Sequence, residues 1–144
     1  MMKRILFIAL SFLFLTSFNE KKPTDKIQWL TIQEATQKQK ENFKPIYIDL
    51  YTDWCHWCKV MDRETYEDPN VIKYINEKFY PVKLDAETKE TITWKGTNYT
   101  YDPRYRVNSF SLYITDNQPS FPTTVFLTDD KTAPIALAGY LKPK

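Results

Sequence analysis

The sequence predicts an α/β domain built on a mixed β-sheet, and three observations predict it. Strand-like apolar runs at residues 46–51, 79–84 and 123–128 are separated by stretches with apolar residues at helical spacing. The last two apolar runs, 123–128 and 134–139, are joined by a short Asp-Asp-Lys turn, which makes them a hairpin and the sheet mixed. With 144 residues, 42% of them hydrophobic and 16% aromatic, the chain is long enough for one domain with a real core.

Residues 1–18 stand apart from that core. Met1-Met2-Lys3-Arg4 is a basic start, and residues 5–15 are an apolar run shorter than the roughly 20 residues that span a bilayer. The segment reads as a signal peptide, hence an exported protein. Thr16-Ser17-Phe18 is a poor small-x-small cleavage pattern, so an uncleaved N-terminal anchor is the alternative. The first thiol of the chain is Cys55, which excludes a lipid-modified cysteine near this segment. Residues 19–26 are polar, charged and contain Pro23, a linker, and the domain is expected over 27–144.

Within the domain, residues 27–30 read as a short strand. Thr31 with Glu34 forms a capping-box pattern that opens a helix through about Lys40. Lys44-Pro45 interrupts, and 46–51 follows as the central strand; its one charge, Asp49, is either on a solvated face or buried for a purpose. A helix over 54–64 puts Cys58 and Met61 on one face. Asp68 suits an N-cap and Pro69 a first helical position, opening a helix with a stripe of Val71, Ile72, Ile75 and Phe79.

The next strand is 79–84, and 85–91 is loop. Residues 91–101 alternate around Lys95-Gly96, the pattern of a β-hairpin, read as an inserted flap that could narrow access to the site. A helix over 103–115 would bury Val107, Phe110 and Ile114, and 119–122 is a Pro-bracketed turn. With only two glycines, turns fall to the nine prolines and to Asn and Asp.

Composition also excludes function classes. Two cysteines cannot make a disulfide scaffold. The formal +2 charge is carried by Lys3 and Arg4, and without them 18 basic residues face 18 acidic ones. No clustered Lys/Arg face suits a phosphate backbone, so nucleic acid is not an expected partner.

The chemistry-bearing stretch is Cys55-His56-Trp57-Cys58, holding both cysteines and the only histidine where the central strand turns into a helix. A sulfur at a helix start faces unsatisfied N–H groups and the positive end of the helix dipole, which favour thiolate. Cys55 is therefore the expected nucleophile, and Cys58, one turn on and more buried, the thiol that resolves a mixed disulfide. His56 either stabilises that thiolate when protonated or is an exposed side chain without a role. Asp53 is expected as the helix cap. A static disulfide gains little from so short a loop. A zinc site would need four ligands, against two Cys and one His; no metal or cofactor is expected.

Residues 48–55 followed by Cys58-Lys59 resemble the active-site region of the thioredoxin superfamily, and Phe121-Pro122-Thr123 resembles its cis-proline turn. Trp54-Cys55-His56-Trp57-Cys58-Lys59 with Asp68-Pro69-Asn70-Val71 downstream is most similar to small exported thioredoxin-like proteins and to the C-terminal domain of membrane thiol:disulfide interchange proteins. The resemblance covers about residues 27–141. It implies a thioredoxin-like fold, with a central mixed sheet flanked by helices, and a thiol:disulfide oxidoreductase that reduces or isomerises disulfides in exported proteins. An upstream, membrane-bound thiol donor would supply electrons, with a possible membrane tether through residues 5–18.

Site residues follow from the same resemblance. Cys55 matches the nucleophile and Cys58 the resolving thiol. Asp49 matches a buried carboxylate that takes and returns the proton of Cys58; unpaired and buried, it would have a raised pKa. Lys83 matches a lysine near that carboxylate. Pro122 would be the cis-proline, and the backbone of Phe121 would pair with an extended substrate segment. Trp54 and Trp57 would form its apolar rim, or else pack in the core.

Three departures stand out. Trp57 replaces the proline of thioredoxin, which leaves the direction of electron flow open. The 91–101 hairpin is additional. The chain stops at Lys144 without the family's C-terminal helix, so either it is truncated or something else covers that sheet face. Two other functions fit the residues: a chaperone-like peptide-binding module, and a metal-binding or delivery protein using Cys55, Cys58 and His56.

Overall fold

The computed structural model describes residues 25–129 and 131–143. The signal segment expected over 1–18 and most of the expected 19–26 linker lie outside the described residues, as does Asp130 of the expected Asp-Asp-Lys turn. In chain order the elements are α1 (Ile32–Glu41), β1 (Ile46–Tyr51), α2 (His56–Glu64), α3 (Pro69–Lys78) and β2 (Tyr80–Asp85). Two short pairs follow, β3 (Ile92–Trp94) with β4 (Thr97–Tyr99) and β5 (Tyr101–Asp102) with β6 (Val107–Asn108); α4 (Ser109–Ile114), β7 (Thr123–Leu127) and β8 (Ile135–Ala138) complete the order.

The main sheet is ordered β2-β1-β7-β8, with β1 parallel to β2 and antiparallel to β7, and β7 antiparallel to β8. As expected, Ile46–Tyr51 is a central strand of a mixed sheet. Its alternation assigns the two faces. Ile46, Ile48 and Leu50 enter a core with α1, α4 and the β3–β4 hairpin, whereas Tyr47 enters a second core with Met61 of α2, Tyr66, and Ile72 and Ile75 of α3. Three layers result, with α2 and α3 on one face of the sheet. Each fully buried Ile or Leu contributes about 1.5–3 kcal/mol.

Local signals hold where they are self-contained. Thr31 and Glu34 close both halves of the capping box of α1. Asp68 caps α3 through the amides of Asn70 and Val71, with Pro69 in the first turn.

Three expectations change. No strand forms at 27–30: Leu30 makes one bridge to Val82, but the Gln28 amide donates to the Asn76 side chain at 2.9 Å, so the ladder cannot continue. The helix expected over 103–115 starts only at Ser109, because Arg106 sits at φ 59 and Asn108 caps the Phe110 amide. Val107, Phe110 and Ile114 are nonetheless buried. The 91–101 segment is a hairpin with positive φ at Lys95 and Gly96, but it is not a loose flap. Its Ile92 and Trp94 are buried in the core with Phe110.

No helix follows β8 among the described residues. Tyr140 and Leu141 pack against the second core instead, and Ile135 and Leu137 of β8 stay exposed.

Candidate active site

Where β1 ends, the Thr52 carbonyl accepts the Cys55 amide at 3.1 Å and the chain turns into α2. Cys55 itself is the N-cap: its Sγ accepts the Cys58 amide at 3.1 Å, and the two cysteines are joined in a disulfide. Asp53, expected as the cap, is exposed and does not take that position, because the sulfur occupies it. In the reduced protein the same amide and the helix N-terminus would favour the Cys55 thiolate. Both cysteines are buried, Cys55 at 4% and Cys58 at 3% exposure, and the disulfide ties them to the same turn.

Trp54 and Trp57 are 66% and 56% exposed, so they lie on the surface and do not pack in the core. His56, first residue of α2, is exposed and meets Trp57 edge to face at 5.8 Å between ring centroids. Among the described residues no group of three or more His, Cys, Asp or Glu could hold a metal ion.

Asp49 is buried, at 1% exposure, on the sheet face that carries α2. It is paired, with the lysine that the resemblance places near it. Lys83, its register partner on β2, donates to Asp49 Oδ2 at 2.6 Å and to Asp62 Oδ1 of α2 at 2.5 Å. The ammonium also lies 4.9–5.4 Å from the ring centroids of Trp29, Tyr51 and Tyr66. Burial raises the Asp49 carboxyl above the ordinary range, and Lys83 offsets this only in part. Burial works against the Lys83 charge, but Asp49 and Asp62 outweigh it and hold its pKa above the ordinary lysine value. Asp49 Oδ1 has no hydrogen-bond partner among the described residues, which leaves an oxygen for a proton.

The Phe121–Pro122 peptide bond is cis. Thr123 pairs with Leu50, so Pro122 stands at the sheet end where β1 runs into Cys55. Phe121 meets the Trp54 ring edge to face at 5.8 Å, and the Trp54 indole N–H donates to Glu87 at 3.2 Å. Trp57, Phe121, Pro122, Gly139 and Tyr140 line a pocket of about 290 Å³. A larger cavity of about 780 Å³ lies between the 25–30 segment, α1 and α3, and holds none of these residues.

The structure thus brings Cys55, Cys58, Trp54, Trp57, Phe121 and Pro122 to one end of the sheet, with Asp49 and Lys83 on the α2 face. Sequence reasoning missed Asp62, Glu87, Glu64 and Tyr140. Asp62 had a usable signal, four residues after Cys58 on α2. Tyr140 had none, since its partners are distant in sequence.

A Cys-x-x-Cys pair capping the helix after the central strand, with a cis-proline just before the adjacent antiparallel strand, defines a thioredoxin-superfamily protein. Within that class, the chain belongs to the Thioredox_DsbH family, described as a protein of unknown function, DUF255, whose family model matches residues 12–144. A Caenorhabditis elegans relative, uncharacterized protein B0495.5, is 32% identical over 121 residues, covering 84% of this chain and 14% of that protein. The thiol:disulfide interchange protein DsbD of Escherichia coli K12 is 43% identical over 44 residues, 30% of this chain and 8% of DsbD. This chain therefore corresponds to a small part of the length of both relatives. The solved structure of a DsbH oxidoreductase superimposes with a TM-score of 0.56 at 20% identity, covering 80% of this chain and 74% of that one, a likeness of fold.

Proposed function

We propose that the protein is an exported thiol:disulfide oxidoreductase that reduces or isomerises disulfides in exported proteins through Cys55 and Cys58. The observation that carries this reading is the Cys55–Cys58 disulfide at the α2 N-terminus, where Cys55 Sγ accepts a helix amide. The name of the DsbD relative supports it. In the reaction the Cys55 thiolate attacks a substrate sulfur; the substrate S–S bond breaks, a mixed disulfide forms and the other sulfur leaves as thiolate. Asp49 takes the Cys58 proton, Lys83 orients Asp49, and the Cys58 thiolate attacks Cys55. The substrate leaves fully reduced, and two electrons have passed from the dithiol. An upstream thiol donor, membrane-bound in this reading, restores it.

Phe121 and Pro122 hold the substrate segment in extended form, between Trp54 and Trp57. Residues 1–18 act as signal peptide or N-terminal anchor, 19–26 as linker, and 27–144 as the thioredoxin-like domain. The direction of electron flow is tested by equilibrating the couple in glutathione buffers. A potential well below about −120 mV fits a reductase or isomerase, and one near −120 mV, the range of a strong oxidant, would sink it. Cys55→Ser is expected to abolish exchange, and Cys58→Ser to accumulate mixed disulfides visible on non-reducing gels. Client binding that survives loss of both thiols, without exchange in the intact protein, would favour the chaperone-like module.

A further inference from the structure

The segment after β8 carries a side chain that the proposed reaction does not use. Tyr140 follows Gly139, whose amide donates to the Pro122 carbonyl at 2.8 Å, so it is fastened directly beside the cis-proline. Its ring lies 5.8 Å from that of Trp57, the residue just before Cys58. Its hydroxyl donates to Glu64, in the last turn of α2, at 2.6 Å. Next in the chain, the Leu141 carbonyl accepts from Thr65, which is buried, also at 2.6 Å. The ring is thus held from two directions.

The pocket it closes is lined by side chains without charge and by the backbone of Gly139. At about 290 Å³ it stands at the lower edge of the roughly 300–1,000 Å³ of small-molecule sites and has room for one large side chain. The cis-proline Pro122 and Trp57, which directly precedes Cys58 in the chain, are both part of the wall.

We propose that Tyr140, positioned by Glu64, is a specificity-determining residue that completes a pocket for one large apolar side chain next to the reacting cysteine of the substrate segment. This rests on the oxidoreductase reading above and names the substrate feature that the site selects. A substrate with Phe or Leu beside its cysteine would bury that side chain against Trp57 and Tyr140, whereas one with Ala would leave the pocket unfilled.

The test uses two disulfide-linked, fluorescence-quenched peptide pairs that differ only in Phe or Ala next to the cysteine, with the reduced full-length protein as reagent. The expected Phe:Ala ratio of second-order rate constants for single-turnover reduction by the wild type is about tenfold, in line with the 10–200-fold that filling an apolar pocket brings. Tyr140→Ala is expected to bring the ratio to about two. Tyr140→Phe and Glu64→Ala each remove the hydroxyl–carboxylate hydrogen bond while leaving an aromatic ring in the chain, and both give an intermediate ratio. If Tyr140→Ala does not fold, the Tyr140→Phe and Glu64→Ala pair still decides: equal ratios in both, matching the wild type, overturn the proposal. A wild type that cleaves both peptides equally overturns the pocket and leaves the oxidoreductase standing. A wild type that cleaves neither overturns the oxidoreductase, and the pocket with it.

Discussion

Asp49 is the residue whose environment the proposed mechanism depends on most. A carboxyl whose pKa is higher in the folded than in the unfolded protein stabilises the fold below its unfolded value, near 3.9, and that contribution is lost as pH rises through the folded value. Oxidised wild-type protein is therefore expected to lose stability relative to Asp49→Asn across that window, measured as urea midpoints at a series of pH values. The proposed catalysis has the opposite demand, because in it Asp49 is ionised to take the Cys58 proton. The acid limb of the reductase rate should lie above the ordinary carboxylate range, and Asp49→Asn should flatten it while lowering the rate on the order of 100-fold. A profile unchanged by the substitution would remove Asp49 from the mechanism. Its candidacy was legible, since one charge in a strand otherwise built for burial is conspicuous. Its double pairing through Lys83 to Asp62 was not, because it depends on β2 lying beside β1 with α2 across both.

Among the elements, those with local signals were readable and those settled by distant partners were not. α1 and α3 begin where their caps stand in the sequence. Asp68→Ala removes two amide contacts and should cost about 1 kcal/mol of stability, read from urea unfolding. The start of α4 was misread because Asn108 is recruited by the loop before the hairpin. Its side-chain amide donates to the Glu90 carbonyl at 2.9 Å, and its backbone amide to the Ala86 carbonyl at 2.7 Å. Asn108→Ala should cost about 1–3 kcal/mol by leaving buried groups unpaired, with faster hydrogen exchange across residues 86–99 than in β1. Uniform acceleration across both would contradict this account. The failed strand at 27–30 has the same origin, an Asn76 side chain 48 residues away that takes the Gln28 amide.

At the scale of the molecule, the sheet order places both halves of the site at one end. The parallel β1–β2 pair sets Lys83 beside Asp49, and the antiparallel β1–β7 pair returns Pro122 to the end of β1 that leads to Cys55. That convergence was expected from the family resemblance rather than from periodicity, since no spacing in the chain relates residues 55 and 122. The site needs the whole sheet, so a substitution that displaces β7 would disable exchange with both cysteines intact. The most direct measurement is reduction of insulin by dithiothreitol, followed as turbidity, with and without the protein. Wild-type protein should accelerate precipitation and Cys55→Ser should not. Equal acceleration by both, or none by the wild type, would contradict the assignment of Cys55 and Cys58 as the working couple.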